Sequence, residues 1–193
     1  MISKPRILLV CSSHLVVNQH LLEIIEKLRI HYSIELVTNF SFDENPFSNA
    51  DDLIFHSLPI KRKPDIVSDI LCIFLLVRIL FNSHYHLILS FTPKGGLISS
   101  VAVLLHCLFL CRKVSFVHYF TGNLWRHRSR YSLSSLLLRS IDKFIVFMSN
   151  YSLFDSHTQV AHFKNLNFVD SKKLCCLGFG SLKGVDTNIF NID

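Results

Sequence analysis

Short, wholly apolar runs alternate along the chain with longer stretches whose apolar positions recur every three or four residues. Arg6–Cys11 is leucine-rich and β-branched and predicts a buried strand. Over Val17–Leu28, Leu21, Ile24, Ile25 and Leu28 share one helical face, with Glu23, Glu26 and Lys27 off it. Ser33–Asn39 predicts a second strand, and Phe40–Asp52, rich in Asn, Asp, Ser and Pro, a loop. Leu53–Ile60 reads as a third strand, Asp65–Phe81 as a long apolar helix and His86–Phe91 as a fourth strand. The turn S-F-T-P-K-G-G then opens a helix from Pro93 to about Cys111. Lys113–Phe120 predicts a fifth strand, Thr121–Tyr131 a basic loop, and Leu133–Met148 a helix. Tyr151–Asp155 is a short strand, His157–Asn167 a helix, and Leu174–Leu177 a last strand opening into L-G-F-G-S-L-K-G-V-D.

Strands apolar on both sides and separated by helices predict a parallel sheet covered on both faces. The expected fold is α/β: a doubly wound, mainly parallel Rossmann-like sheet over residues 1–180, with 181–193 beginning a linker. Ligands of such sheets meet the carboxyl ends of the strands. That singles out Ser12–His14, Thr92–Gly96, Thr121–Trp125, Ser156 and Gly178–Asp186.

Composition narrows the picture. With 50% hydrophobic and 18% charged residues, the chain is not of the disordered class. The longest apolar runs, Ile66–Phe81 and Leu97–Cys111, fall short of the roughly 20 residues a spanning helix needs, and contain Arg78 and His106. The N-terminus carries no cleavage-site pattern and reads as the first strand of a cytoplasmic protein. Six cysteines without a C-x-x-C pair read as buried reduced thiols, and Cys107 and Cys111, one turn apart, as core rather than metal ligands. His84 and His86 read as alternation at a strand entry. A net charge of +6 and a pI near 9.1 favour an anionic partner, and no motif accompanies that charge to make the partner nucleic acid.

The S-F-T-P-K-G-G turn has a structural explanation: Thr92 as N-cap, Pro93 at the first helical position, and Gly95 and Gly96 for close packing. A helix start beside Lys94 also suits an anion. No G-x-x-x-x-G-K-[ST] phosphate loop is present. Ser12, Ser13 and His14 follow the first strand without a glycine, so the G-x-G-x-x-G fingerprint is absent, and Thr38-Asn39 ends the second strand where an acidic ribose ligand would stand. No G-x-S-x-G elbow appears. Nicotinamide, flavin and simple hydrolase chemistry are therefore disfavoured.

Several segments occur in a telling order: K-P-R-I-L-L-V-C-S-S-H, L-P-I-K-R-K-P-D, L-I-L-S-F-T-P-K-G-G-L-I-S-S-V-A-V, F-T-G-N-L-W, S-L-L-L-R-S-I-D, F-D-S and L-G-F-G-S-L-K-G-V-D-T-N-I-F. Together they resemble the N-terminal, acceptor-side domain of glycosyltransferase family 4, GT-B-fold enzymes of bacterial surface-polysaccharide and lipid-linked glycan synthesis. The resemblance implies two Rossmann-like domains facing across a cleft, and retaining transfer from a nucleotide-sugar donor without a cofactor or metal. It also implies a polyprenyl-diphosphate-linked glycan acceptor. On that resemblance, Thr92, Lys94, Gly95 and Gly96 line the acceptor side, and Thr121, Gly122 and Asn123 approach the donor sugar. Gly180, Ser181, Gly184, Val185 and Asp186 lead toward a second domain. Many relatives carry His where this chain has Thr121, a hydroxyl unable to act as a base near neutral pH, so no catalytic residue is assigned.

The donor domain's hallmark, two glutamates eight positions apart, has no counterpart among Glu23, Glu26, Glu35 and Glu44. The resemblance therefore implies a donor half on a further domain or a separate donor-side subunit, with this half inactive alone. Lys61, Arg62, Lys63, Arg126, Arg128 and Arg130 form two basic clusters, the second flanked by Trp125 and Tyr131. They read as contacts to anionic lipid or to an acceptor diphosphate, so the expected location is peripheral, on the inner face of the cytoplasmic membrane. The alternative is a non-catalytic, membrane-associated Rossmann-fold scaffold.

Overall fold

The computed structural model describes residues 4–39, 53–61, 63–110, 113–122, 125, 132–166 and 170–182. Seven strands, β1 (Arg6–Val10), β2 (Ser33–Thr38), β3 (Ile54–Ser57), β4 (Leu87–Phe91), β5 (Ser115–Phe120), β6 (Tyr151–Phe154) and β7 (Leu174–Cys176), form one sheet in the order β3-β2-β1-β4-β5-β6-β7. Every pairing is parallel. The expected doubly wound Rossmann-like α/β class is thus the observed one.

The helices are α1 (His14–Val16), a π-helical turn (Val17–Leu21), α2 (Leu22–Leu28), α3 (Ile66–Asn82), α4 (Pro93–Leu110), α5 (Leu133–Met148) and α6 (His157–Asn165). The first helical stretch starts three residues earlier than its stripe predicts and widens into π geometry over Val17–Leu21. Asp65 caps α3 by accepting from the Ser68 N–H, and Ser156 caps α6 through the Gln159 N–H.

The core divides by sheet face. Val17, Leu21 and Ile25 pack with Ile7, Leu9, Ile34 and Leu36 on one side. Cys72, Leu76 and Leu80 of α3 and Ile98, Ala102 and Val103 of α4 cover Leu8, Val10, Val37, Ile88 and Phe116 on the other. A third cluster joins Phe120 and Phe154, stacked 4.9 Å apart, with Ile145, Val146 and Phe163. α4 is long and apolar enough to cross a membrane by length and composition. Here it lies between α3 and α5 and buries Gly95, Gly96, Ile98, Ser99 and Ala102, the features of a core helix. Cys11 and Cys72 are buried as expected, whereas Cys107, Cys175 and Cys176 are half-buried; all five are free thiols.

One polar cluster lies among the apolar layers, toward the amino ends of the strands. Glu35, 1% exposed, accepts from Tyr85 Oη at 2.6 Å, pairs with His56 Nε2 at 2.8 Å and forms an ion pair with Arg6. Burial alone would raise the Glu35 pKa, but the bonds from Tyr85, His56 and Arg6 outweigh it and hold the carboxyl below its usual range. The same environment pushes the Tyr85 phenol well above its usual range. These contacts tie the starts of β1 and β4 to β2 and to the edge strand β3.

Candidate functional site

The chain moves outward from β1 to β2 and β3, then returns to β4 on the other side of β1, so the topological switch lies between β1 and β4. In open α/β sheets this is where a crevice opens at the carboxyl edge. Ser12 follows β1 there and Thr92 follows β4, both buried, with their hydroxyl oxygens 2.8 Å apart. Thr92 has φ +66°, a conformation uncommon for a β-branched residue. It caps α4 from that position: its Oγ1 accepts from the Gly95 N–H at 3.3 Å and its carbonyl from Gly96 N–H at 2.9 Å.

The two glycines have separate packing duties. A Cβ on Gly95 would meet Thr92 Oγ1 at 3.1 Å and the Val10 carbonyl at 3.3 Å, so its bareness brings α4 against β1. A Cβ on Gly96 would meet the His118 ring at 2.5 Å. His118 is fully enclosed, with Nδ1 2.7 Å from Ser90 Oγ, and burial pushes its pKa down to about 3, so it is neutral. Lys94 turns toward the segment between β3 and α3. Its Nζ donates to the Lys61 and Lys63 carbonyls at 2.6 and 2.7 Å and pairs with Asp69 at 2.7 Å. Its charge is matched within the protein, clamping that segment to α4.

A cleft of about 750 Å³ opens beside the crevice, lined by Val16, Gln19, His20, Thr121, Asp155, Ser181 and Leu182. Of the residues selected from sequence, Thr121 and Ser181 meet here. Gln19, His20 and Asp155 were not selected, and their contribution follows from the fold. Gln19 and His20 belong to the π-helical turn, an irregularity frequent at functional sites. Asp155 follows β6 directly; burial raises its pKa, and its Oδ1 is buried with no hydrogen-bond partner among the described residues. Its place as the last residue of the strand expected over Tyr151–Asp155 was the available sequence signal.

The far wall is a turn folded back onto β6. Gly180 has φ +92°, and a Cβ there would run into the Asp155 carbonyl oxygen. The Ser181 N–H donates to that carbonyl at 2.8 Å, and His157 Nε2 sits 3.0 Å from the Gly178 carbonyl. Gly122, with φ +140° and open space around it, continues from Thr121 at the end of β5. Ser13 lies buried after β1, and His14 Nδ1 is 3.2 Å from the Asn39 carbonyl. Asn123, Arg126, Arg128, Gly184, Val185 and Asp186 lie outside the described residues, as do Arg62, Arg130 and Tyr131.

Trp125 corrects one expectation. It is not an interfacial ring: it is 6% exposed, its Nε1 donates to Asp142 Oδ2 at 2.7 Å, and Arg139 lies over its face at 5.1 Å. Burial raises the Asp142 pKa to about 6, against the opposing pull of the indole bond. The ring is an anchor between the loop after β5 and α5.

No known family model matches the chain, and no curated protein matches it. Solved structures do match in fold. UDP-N-acetylglucosamine 2-epimerase from Rickettsia bellii aligns with TM-score 0.65 and 12% identity over 91% of this chain and 45% of its own. Anabaena Alr3699/HepE in complex with UDP-glucose aligns with TM-score 0.63 and 13% identity over 96% and 45%. The lipopolysaccharide outer core galactosyltransferase WaaB aligns with TM-score 0.60 and 8% identity over 88% and 44%. The fold is therefore that of one Rossmann-like domain of the GT-B kind, shared by glycosyltransferases and epimerases. The chain spans a little under half the length of these structures.

Proposed function

We infer that this chain is the acceptor-side half of a glycosyltransferase. It would hold a polyhydroxylated acceptor at the carboxyl edge while a further domain or a separate subunit holds the nucleotide-sugar. The observation that carries this reading is the lining of the cleft. Thr121 and Ser181 supply hydroxyls, Gln19 an amide, His20 an imidazole and Asp155 a carboxylate. Such a set exchanges hydrogen bonds with sugar hydroxyls. Among the described lining residues no Lys or Arg stands to balance a nucleotide diphosphate, and Lys94 is paired with Asp69. This favours an acceptor role over complete nucleotide-sugar chemistry on this half alone. The epimerase neighbours share the fold, so the lining rather than the fold supports the choice. The acceptor in this reading is a lipid-linked or polysaccharide glycan, and transfer requires both cleft walls to orient the reactants.

Saturation-transfer NMR with methyl glycosides of glucose, galactose and N-acetylglucosamine, and with UDP-glucose, tests the reading. At least one glycoside should receive saturation from the wild-type chain and lose it in Asp155→Ala, while UDP-glucose receives none. Nucleotide-sugar binding by this half alone would overturn the assignment. Absence of every glycoside signal would favour the scaffold reading.

A further inference from the structure

A second cavity, of about 390 Å³, lies between the edge strand β3 and the last two turns of α3, on the face of the sheet that α3 covers. Leu58, Leu75 and Ile79 give it apolar walls, and His56 and Arg78 are among its polar lining. Mostly apolar walls with a few polar groups, in a volume of roughly 300–1,000 Å³, describe a small-molecule pocket. It is distinct from the cleft at Thr121 and Asp155: β2, β1 and β4 stand between β3 and the strands β5 and β6 that those residues follow.

The polar groups define the charge of an occupant. Arg6, Lys61 and Lys94 all meet carboxylates, whereas among the described residues no hydrogen bond or ion pair engages the exposed Arg78 guanidinium. His56 turns Nε2 to Glu35 Oε2 at 2.8 Å, so Nδ1 is the ring nitrogen left to a ligand. No Asp or Glu stands among the described lining residues. Glu35, 1% exposed, lies behind His56 and Tyr85, and Arg6 already answers its charge. One positive charge therefore stands unmatched beside leucine and isoleucine. α3 ends at Asn82, where its last carbonyls disfavour an anion, so the place for negative charge is Arg78, one turn earlier. A phosphate dianion would find a single guanidinium and walls unable to solvate its second charge. A monoanion with an apolar body matches both features.

We propose that this pocket binds an amphiphilic organic monocarboxylate, its carboxylate paired with the planar fork of Arg78 and its apolar body packed against Leu58, Leu75 and Ile79. Tyr85 and His56 belong both to the lining and to the Glu35 cluster, so an occupant rests on the contacts that join β1, β2, β3 and β4. Binding to the folded chain alone then raises its stability by mass action. The inference is independent of the acceptor reading and is measured without any sugar.

Isothermal titration calorimetry and thermal unfolding of the full chain with butyrate, octanoate and phenylacetate test it, with octanamide and inorganic phosphate as controls. At least one carboxylate should bind with a Kd below about 1 mM and raise Tm, and both controls should bind at least tenfold more weakly. Arg78→Gln, at an exposed position, should weaken carboxylate binding tenfold or more with an unchanged circular dichroism spectrum. Amide NMR shifts should centre on Ser57, Leu75 and Ile79 rather than on Thr121 and Asp155. Failure of all three carboxylates to bind at that level, octanamide binding as tightly as octanoate, or affinity indifferent to Arg78→Gln would overturn the proposal. So would shifts centred on the cleft, or phosphate binding as tightly as the carboxylates, which would make Arg78 a general anion contact.

Discussion

Both ends of the sheet are polar, and they differ in how their polar groups are answered. At the amino end Glu35 meets Arg6, His56 and Tyr85, which together outweigh its burial. At the carboxyl end Thr92 caps α4 from φ +66°, while Asp155 leaves a buried oxygen without a partner among the described residues. A saturated network holds strands together and rigidifies them. Strain and unanswered polarity persist where a ligand supplies the remaining contacts. The contrast separates a structural cluster from a candidate site without appeal to relatives.

Glu35→Ala should break the comparison most severely. It leaves the buried Tyr85 hydroxyl without its acceptor and removes the bonds to His56 and to Arg6, whose side chain is 35% exposed and regains water, so the cost is about 2–3 kcal/mol. Urea denaturation should show that loss, and a change under about 1 kcal/mol would mean that the cluster carries little.

The pH response sharpens the contrast with opposite signs. Glu35 has a lowered pKa, so its contribution is present above the unfolded pKa and is lost as pH falls through the folded one. Asp142, raised to about 6 from 3.8, has the reverse linkage: its contribution is present below pH 3.8 and is lost as pH rises through about 6. Asp142→Asn keeps an acceptor for Trp125 and should remove that decline, a gain on the order of 2–3 kcal/mol at pH 7.5 relative to pH 4. An unchanged difference in stability between pH 4 and pH 7.5 in the variant would contradict the assignment.

The smallest effect is expected at the crevice. Thr92→Ala removes the Ser12 contact and the Oγ1 cap and should cost about 1 kcal/mol. Thr92→Gly loses the same bonds but relieves the positive φ, so it should be the milder of the two in thermal unfolding. A glycine variant less stable than the alanine one would show that φ +66° is not strained.

The order of elements was readable because hydrophobic periodicity is local. Leu133–Met148 matches α5 residue for residue, and T-P-K-G-G is a helix start because capping involves neighbours three or four residues apart. The candidate site was readable in part. Thr121 and Ser181 follow from the rule that ligands meet strand ends, but Gln19 and His20 enter through a π-helical turn that no stripe announces. Gly96 reads as a close approach, while the neighbour it admits, His118, stands on the adjacent strand β5.

By itself the sequence determined an alternating parallel α/β chain, since which residues prefer strand or helix is set within a few positions. Only the tertiary structure decided what each polar or apolar side chain faces. It turned Lys94 to Asp69, buried Trp125 on Asp142 and gathered three distant residues, Arg6, His56 and Tyr85, around Glu35. It also left Ile66, Val67, Ile70 and Phe74 of α3 exposed. The partners in these contacts lie 17 to 50 residues apart in the chain, and crossover and register bring them together, neither of which a local pattern encodes.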